Sequence, residues 1–70
     1  MAHTLSAPQA AEVVGVDRVT IFRWVDDGLL PVERYGLRRI IMIDPDDLRK
    51  FARTHNYPFD ERILDKIIQQ

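Results

Sequence analysis

The chain carries ten basic residues, and eight of these are arginine. Arg18 and Arg23 stand five positions apart, and Arg34, Arg38 and Arg39 follow near the middle of the sequence. The guanidinium group is planar and charged, and it can donate two parallel hydrogen bonds to a phosphate or to the edge of a guanine base. The preference for arginine over lysine therefore favours recognition of such groups over a merely solubilising role.

The sequence contains no catalytic or metal-binding pattern. Two aspartate pairs occur at positions 26–27 and 46–47, but neighbours in a helix point about 100° apart, so these carboxylates do not converge on a substrate. His3 and His55 lack a partner at metal-ligand spacing, and the chain has no cysteine. We therefore expect no enzyme activity, no metal and no cofactor.

The charge is unevenly distributed along the chain. The net charge is −1 and the isoelectric point is about 6.0, which taken alone argues against a nucleic-acid partner. Residues 32–43, however, hold three basic residues and one acidic residue, which gives this segment a charge of +2. The middle of the chain is thus the segment best suited to a phosphate backbone.

Length and composition predict one domain over residues 1–70. A chain of this size buries only about 60% of its unfolded surface, which leaves no material for a second core. The hydrophobic share of 46% is enough for a compact core. Neither a membrane span nor a signal peptide is evident, and the lack of cysteine fits a reducing compartment, so we expect a cytoplasmic protein.

Two helices joined by a short turn are predicted near the amino terminus. Ser6 fits the N-cap of the first helix and Gly15 its end, while Asp17 fits the N-cap of a second helix over residues 18–27. Such a pair, joined through a glycine-containing turn, forms a helix-turn-helix. The inward side chains of the second helix would be Val16, Ile21, Trp24 and Val25, and the outward ones Arg18, Val19 or Thr20, Arg23 and Asp26.

A hairpin and two further helices are predicted after this unit. Residues 32–35 and 38–43 have the β-branched and aromatic content of strands around a turn at Gly36. Asp44 and Pro45 begin a third helix, and a last helix spans about residues 59–69. The predicted fold is therefore mainly α with a small β-hairpin: a winged helix-turn-helix with a core over residues 4–54 and an additional C-terminal helix.

This order of elements resembles the winged-helix DNA-binding domain of the MerR superfamily, in particular its small excisionase-like members that lack an effector domain. Four sequence blocks carry the resemblance: residues 6–11, 15–24, 28–31 and 43–48. The resemblance implies that the second helix enters the major groove of duplex DNA and that the hairpin follows the adjacent backbone or minor groove. It implies helix contacts by Arg18, Val19, Thr20 and Arg23, packing of Phe22 against the DNA backbone, and wing contacts by Arg38 and Arg39, which Arg34 could join.

Several residues also have a structural interpretation. Thr20 fits a helix cap as well as a base contact, and Trp24 fits the core better than a stacking platform. Arg49, Lys50 and Arg53 fit a solvated helix face. The aliphatic side chains of the last helix could close the domain's own core or join two copies of the chain; these are Ile63, Leu64, Ile67 and Ile68.

The sequence therefore predicts sequence-selective binding of duplex DNA, as a transcriptional regulator or a recombination directionality factor. One copy offers few phosphate contacts, so we expect dimers or arrays on repeated sites, with no small-molecule effector and no membrane partner. The alternative is a protein-interaction module of the same fold with weak or no DNA binding. Three features favour that alternative: the low isoelectric point, Asp26 next to the second helix's outward face, and the aliphatic residues of the last helix that could be exposed.

Overall fold

The computed structural model describes residues 4–38 and 40–69. Arg39, which the sequence predicts as a wing contact, lies outside the described residues. Four helices and one two-stranded antiparallel sheet follow one another along the chain: α1 Ala7–Val14, α2 Arg18–Asp26, β1 Glu33–Tyr35, β2 Ile40–Met42, α3 Pro45–His55 and α4 Glu61–Ile68. The predicted fold class, mainly helical with a small hairpin as in a winged helix-turn-helix, is confirmed.

Local hydrogen bonds define the turn between α1 and α2. The Ser6 hydroxyl accepts from the Gln9 backbone N–H, and the Gln9 side chain accepts from the Ser6 N–H, which completes a capping box. Gly15 ends α1 with a φ of 72°, a conformation that favours glycine. The Val16 N–H then donates to the Ala11 carbonyl at 3.0 Å, and the chain turns into α2.

The hairpin is attached to the start of α1 by a third extended segment. Leu5 and Ile43 form an antiparallel bridge in which each backbone N–H donates to the other's carbonyl at 2.8 Å. Both side chains are fully buried. A two-stranded hairpin is marginal alone, so this bridge holds the end of β2 against the body of the domain. The strands are shorter than predicted: Arg38 lies in the turn, Val32 precedes β1, and Ile43 pairs with Leu5 and not with β1.

The core lies where α1 meets the other helices. Ala10, Val13 and Val14 of α1 are buried, and α1 packs against α2, α3 and α4. The Asp60 N–H donates to the Val13 carbonyl at 2.8 Å, which fixes the start of α4 at the end of α1. No helix in the described part of the chain combines the length and apolar character needed to cross a bilayer.

Candidate nucleic-acid interface

One side of α2 faces solvent and carries most of the predicted helix contacts. Ile21, Trp24 and Val25 are buried on the opposite side. Five exposed residues form the outer face of α2: Arg18, Val19, Phe22, Arg23 and Asp26. Since the buried side holds the helix to the body, the outer face is free to meet a ligand along the full length of α2.

Thr20 differs from the other predicted contacts because its hydroxyl takes part in the helix cap. Asp17 Oδ1 accepts hydrogen bonds from the Thr20 backbone N–H at 2.9 Å and from the Thr20 hydroxyl at 2.8 Å. These two bonds lower the pKa of the Asp17 carboxyl. A lowered pKa in the folded state means that this carboxylate stabilises the fold above its ordinary pKa of 3.8 and ceases to do so as the pH falls further. The first turn of α2 is thus held in place at neutral pH.

Aromatic packing supports α2 from behind. The Trp24 ring lies 4.6 Å from the Phe51 ring of α3 and 4.9 Å from the Tyr57 ring, measured between centroids. Trp24 is 7% exposed, so it belongs to the core, as the sequence predicts. Offset aromatic pairs of this kind add to the stability that burial provides. They fix the axial rotation of α2, and with it the direction of its outer face.

The hairpin, residues 33–42 and here called the wing, presents Arg34 and Arg38 to solvent. Arg34 pairs with Ile41 across the two strands, while Arg38 lies in the connecting turn beside a fully exposed Leu37. The Tyr35 hydroxyl donates to the Glu33 carboxylate, and this hydrogen bond raises the pKa of Tyr35. A phenol is already uncharged at neutral pH, so the rise only moves its ionisation further into the alkaline range.

Phe22 lies where the wing approaches the helix-turn-helix. It lines a groove of about 270 Å³ together with Pro8, Ile40 and Ile41, and with Ser6 and Ala7 at the start of α1. Its ring is 41% exposed. The side chain therefore covers the apolar joint between α2 and the wing and still presents an edge to solvent, a position that the resemblance alone did not specify.

Acidic residues limit the positive surface at one end of α2. Asp26, Asp27 and Glu33 are all exposed; Asp26 is the last residue of α2, three positions after Arg23, and Asp27 is its C-cap. The arginines of the outer face belong to the first six residues of α2, whereas its C-terminal end carries negative charge. An anionic polymer would therefore be attracted to the N-terminal part of α2 and repelled from its end.

Arg49 makes a contact between α3 and α4 that local sequence patterns do not predict. Arg49 was predicted to be a solvated residue, but its guanidinium donates to Asp46 at 2.7 Å and to Glu61 at 2.9 Å, and it lies 5.1 Å from the Phe59 ring centroid. It thus connects α3 to the start of α4. The separation of twelve residues between Arg49 and Glu61 gave no local signal of this contact.

The aliphatic face of α4 is divided between core and surface. Leu64 and Ile67 are buried in the domain's own core, and Ile63 packs against it in part. Ile68 remains 37% exposed. The candidate surface for association between copies is accordingly much smaller than the four residues named from the sequence.

Residues 4–38 and 40–69 contain no group of three or more His, Asp or Glu side chains placed to hold a metal ion. The outer face of α2 and the wing carry exposed arginines and apolar side chains, with the acidic Asp26 and Glu33 among them. Such a surface can make hydrogen bonds to phosphates and base edges and apolar contacts to methyl groups.

Comparison with known proteins identifies about three quarters of the chain. The family model described as a helix-turn-helix domain matches residues 4–56, which include α1, α2, the wing and α3. No curated protein and no solved structure gave a significant match. A helix-turn-helix domain indicates DNA as the binding partner, and such domains are typically not enzymes. The chain belongs to the helix-turn-helix domain family.

Proposed function

We propose that the protein binds duplex DNA sequence-selectively, with α2 in the major groove and the wing on the adjacent backbone or minor groove. The observation that carries this proposal is the exposure of Arg18, Val19 and Arg23 on the outer face of α2, with Arg34 and Arg38 exposed on the wing. A helix that contacts base edges needs outward side chains able to distinguish bases, and arginine is the usual partner of guanine.

The wing would contribute affinity more than specificity. Arg34 and Arg38 are exposed near the tip of a hairpin whose base is fixed by the bridge between Leu5 and Ile43. Contacts of this kind go mainly to phosphate oxygens, which position a protein on the duplex without distinguishing sequences. Arg39 extends the same basic segment in the sequence.

The biological role we propose is that of a transcriptional regulator or a recombination directionality factor. The resemblance of four sequence blocks to the MerR superfamily and its excisionase-like members supports this role. One copy has few phosphate contacts, and its net charge is −1. Occupation of a site in the cell would therefore depend on several copies bound to repeated sites.

A specific observation favours a second function, protein interaction without DNA binding. Asp26, Asp27 and Glu33 are exposed beside the surface that would meet the phosphates. Incubation of the protein with a randomised duplex library, followed by sequencing of the bound fraction, separates the two. Enrichment of a common motif, with binding that weakens steeply as salt is raised, supports DNA recognition. Flow-through on heparin at low salt and no enriched motif would support protein interaction instead.

A further inference from the structure

Val19 holds the most outward position on α2. With about 100° between successive helical residues, Val19 lies about 120–160° around the helix from each of the three buried side chains, Ile21, Trp24 and Val25. Its side chain is 63% exposed, more than that of Phe22 on the same helix. A β-branched residue at a solvated helix position adds no helix propensity and here buries no core surface. The side chain is therefore available for a function outside the monomer.

The neighbours of Val19 define what it could contact. Arg23 stands one turn further along on the same side of α2, and Phe22 flanks Val19 where it lines the joint with the wing. An aliphatic side chain between an arginine and an aromatic ring cannot hydrogen-bond to a base. Within the major groove, the apolar group that such a side chain can recognise is the C5-methyl group of thymine.

We propose that Val19 is a specificity-determining residue that contacts the C5-methyl group of a pyrimidine. This inference rests on the proposed function, since it requires α2 to lie in the major groove. Side chains four residues apart on a helix are about 5–6 Å apart at Cβ, and stacked bases are about 3.4 Å apart. The methyl-bearing pyrimidine therefore lies one or two base pairs from the guanine that Arg23 contacts.

The test is a scan of the selected DNA site with thymine analogues. Each thymine in turn is replaced by uracil, which lacks only the methyl group, and the dissociation constant is measured by fluorescence anisotropy. We expect uracil to weaken binding about 3–10-fold at one position, as the loss of one buried methyl group implies. This position should lie one or two base pairs from the guanine that Arg23 contacts. At that position 5-methylcytosine should bind more tightly than cytosine by a similar factor.

The variant Val19→Ala assigns the contact to this residue. It should weaken binding to the thymine site and reduce the difference between thymine and uracil, whereas Leu29→Ala, a truncation of another exposed aliphatic residue, should leave both unchanged. Far-UV circular dichroism checks that each variant is folded.

A site that tolerates uracil at every position overturns the inference but leaves the proposed function standing. An undiminished uracil penalty in Val19→Ala also overturns it. If the library yields no motif, the proposed function fails and the inference with it.

Discussion

At the scale of single residues, the outer face of α2 presents two kinds of side chain that the proposed binding of DNA would use. Arg23 supplies a charged, planar donor, and Val19 supplies a compact apolar surface one turn earlier. The first suits a guanine edge, and the second suits a methyl group. Thr20, which the sequence also predicts as a contact, donates its hydroxyl hydrogen to the Asp17 cap. A contact of this hydroxyl with DNA would therefore have to use its acceptor lone pairs, and it stays a prediction.

Replacing Arg23 by alanine tests the charged half of this chemistry. We expect Arg23→Ala to weaken binding to the selected site by about 1–3 kcal/mol and to relax the preference at one base position, because a bidentate arginine contact with guanine is lost. Titration of duplexes that differ only at that position measures both effects. Arg53→Ala, on α3 and exposed, is the control for a change of charge alone. An equal loss of affinity on every sequence would instead make Arg23 a phosphate contact.

At the scale of elements, the helix caps and backbone bridges decide where each surface points. Asp17 caps α2, Asp44 caps α3 by accepting from the Asp46 N–H at 2.8 Å, and Asp60 caps α4 by accepting from the Arg62 and Ile63 N–H groups. Aspartate is among the preferred N-cap residues, and its charge also complements the helix dipole. Three of the acidic residues that lower the net charge are thus structural.

The wing can be tested through the dependence of affinity on salt. The double variant Arg34→Ala, Arg38→Ala should bind all sequences more weakly, because both cations would meet phosphates rather than bases. The slope of log affinity against log salt concentration should become shallower by about 1–2, since fewer counterions are released. Lys50→Ala with Arg53→Ala removes the same charge from α3 and should leave the slope nearly unchanged. A constant slope with altered base preference would mean that the wing contacts bases.

The division of the α4 face predicts unequal effects for two similar side chains. Leu64 is 3% exposed, so Leu64→Ala should lower the free energy of unfolding by about 2–5 kcal/mol through lost burial and a cavity. Ile68→Ala should cost less than about 1 kcal/mol, because this side chain is already partly solvated. Urea melts of both variants measure the difference. Equal destabilisation would contradict the packing described here.

Ile68→Ala also serves to test association between copies. Gel shifts on one-site and two-site duplexes report whether the exposed remainder of the α4 face joins neighbouring copies. Loss of cooperativity on the two-site duplex, with unchanged one-site binding, is the result expected of a contact between copies. Unchanged cooperativity would place any such contact elsewhere on the molecule.

At the scale of the whole molecule, the net charge is negative, whereas the arginines of the candidate interface are positive. The chain is slightly acidic overall, yet Arg18, Arg23, Arg34 and Arg38 all belong to the outer face of α2 or to the wing. Long-range attraction to DNA is therefore weak, and affinity must arise from short-range contacts. With few phosphate contacts, one copy is expected to bind weakly.

Removal of one acidic charge near α2 should strengthen binding. Asp26→Asn and Asp65→Asn each raise the net charge from −1 to 0, but only Asp26 lies on the outer face of α2. We expect Asp26→Asn to raise affinity for all sequences, with a larger effect at low salt, because a repulsion from phosphate is removed. Asp65→Asn should have a much smaller effect. Equal effects would show that only the total charge matters.

The sequence by itself determined the local features of this protein. Capping residues, glycines and apolar spacing near Ser6, Gly15, Asp17 and Asp44 predicted the helices and their order, because these signals act over three or four residues along the chain. The same periodicity placed Trp24 in the core and Arg23 outside it. Local chemistry was enough to predict the class of fold and the side of α2 that faces outward.

Only the tertiary structure decided how these elements meet. Two contacts join segments that are distant in sequence: the bridge between Leu5 and Ile43, and the hydrogen bond of Arg49 with Glu61. The division of the α4 face depends on which surface packs against that helix. An aliphatic stripe shows that a helix face will be covered, but it carries no information on what covers it. The Asp60 N–H donates to the Val13 carbonyl, and this hydrogen bond places the start of α4 at the end of α1. From that position, which depends on the fold as a whole, Leu64 and Ile67 are buried in the domain's own core.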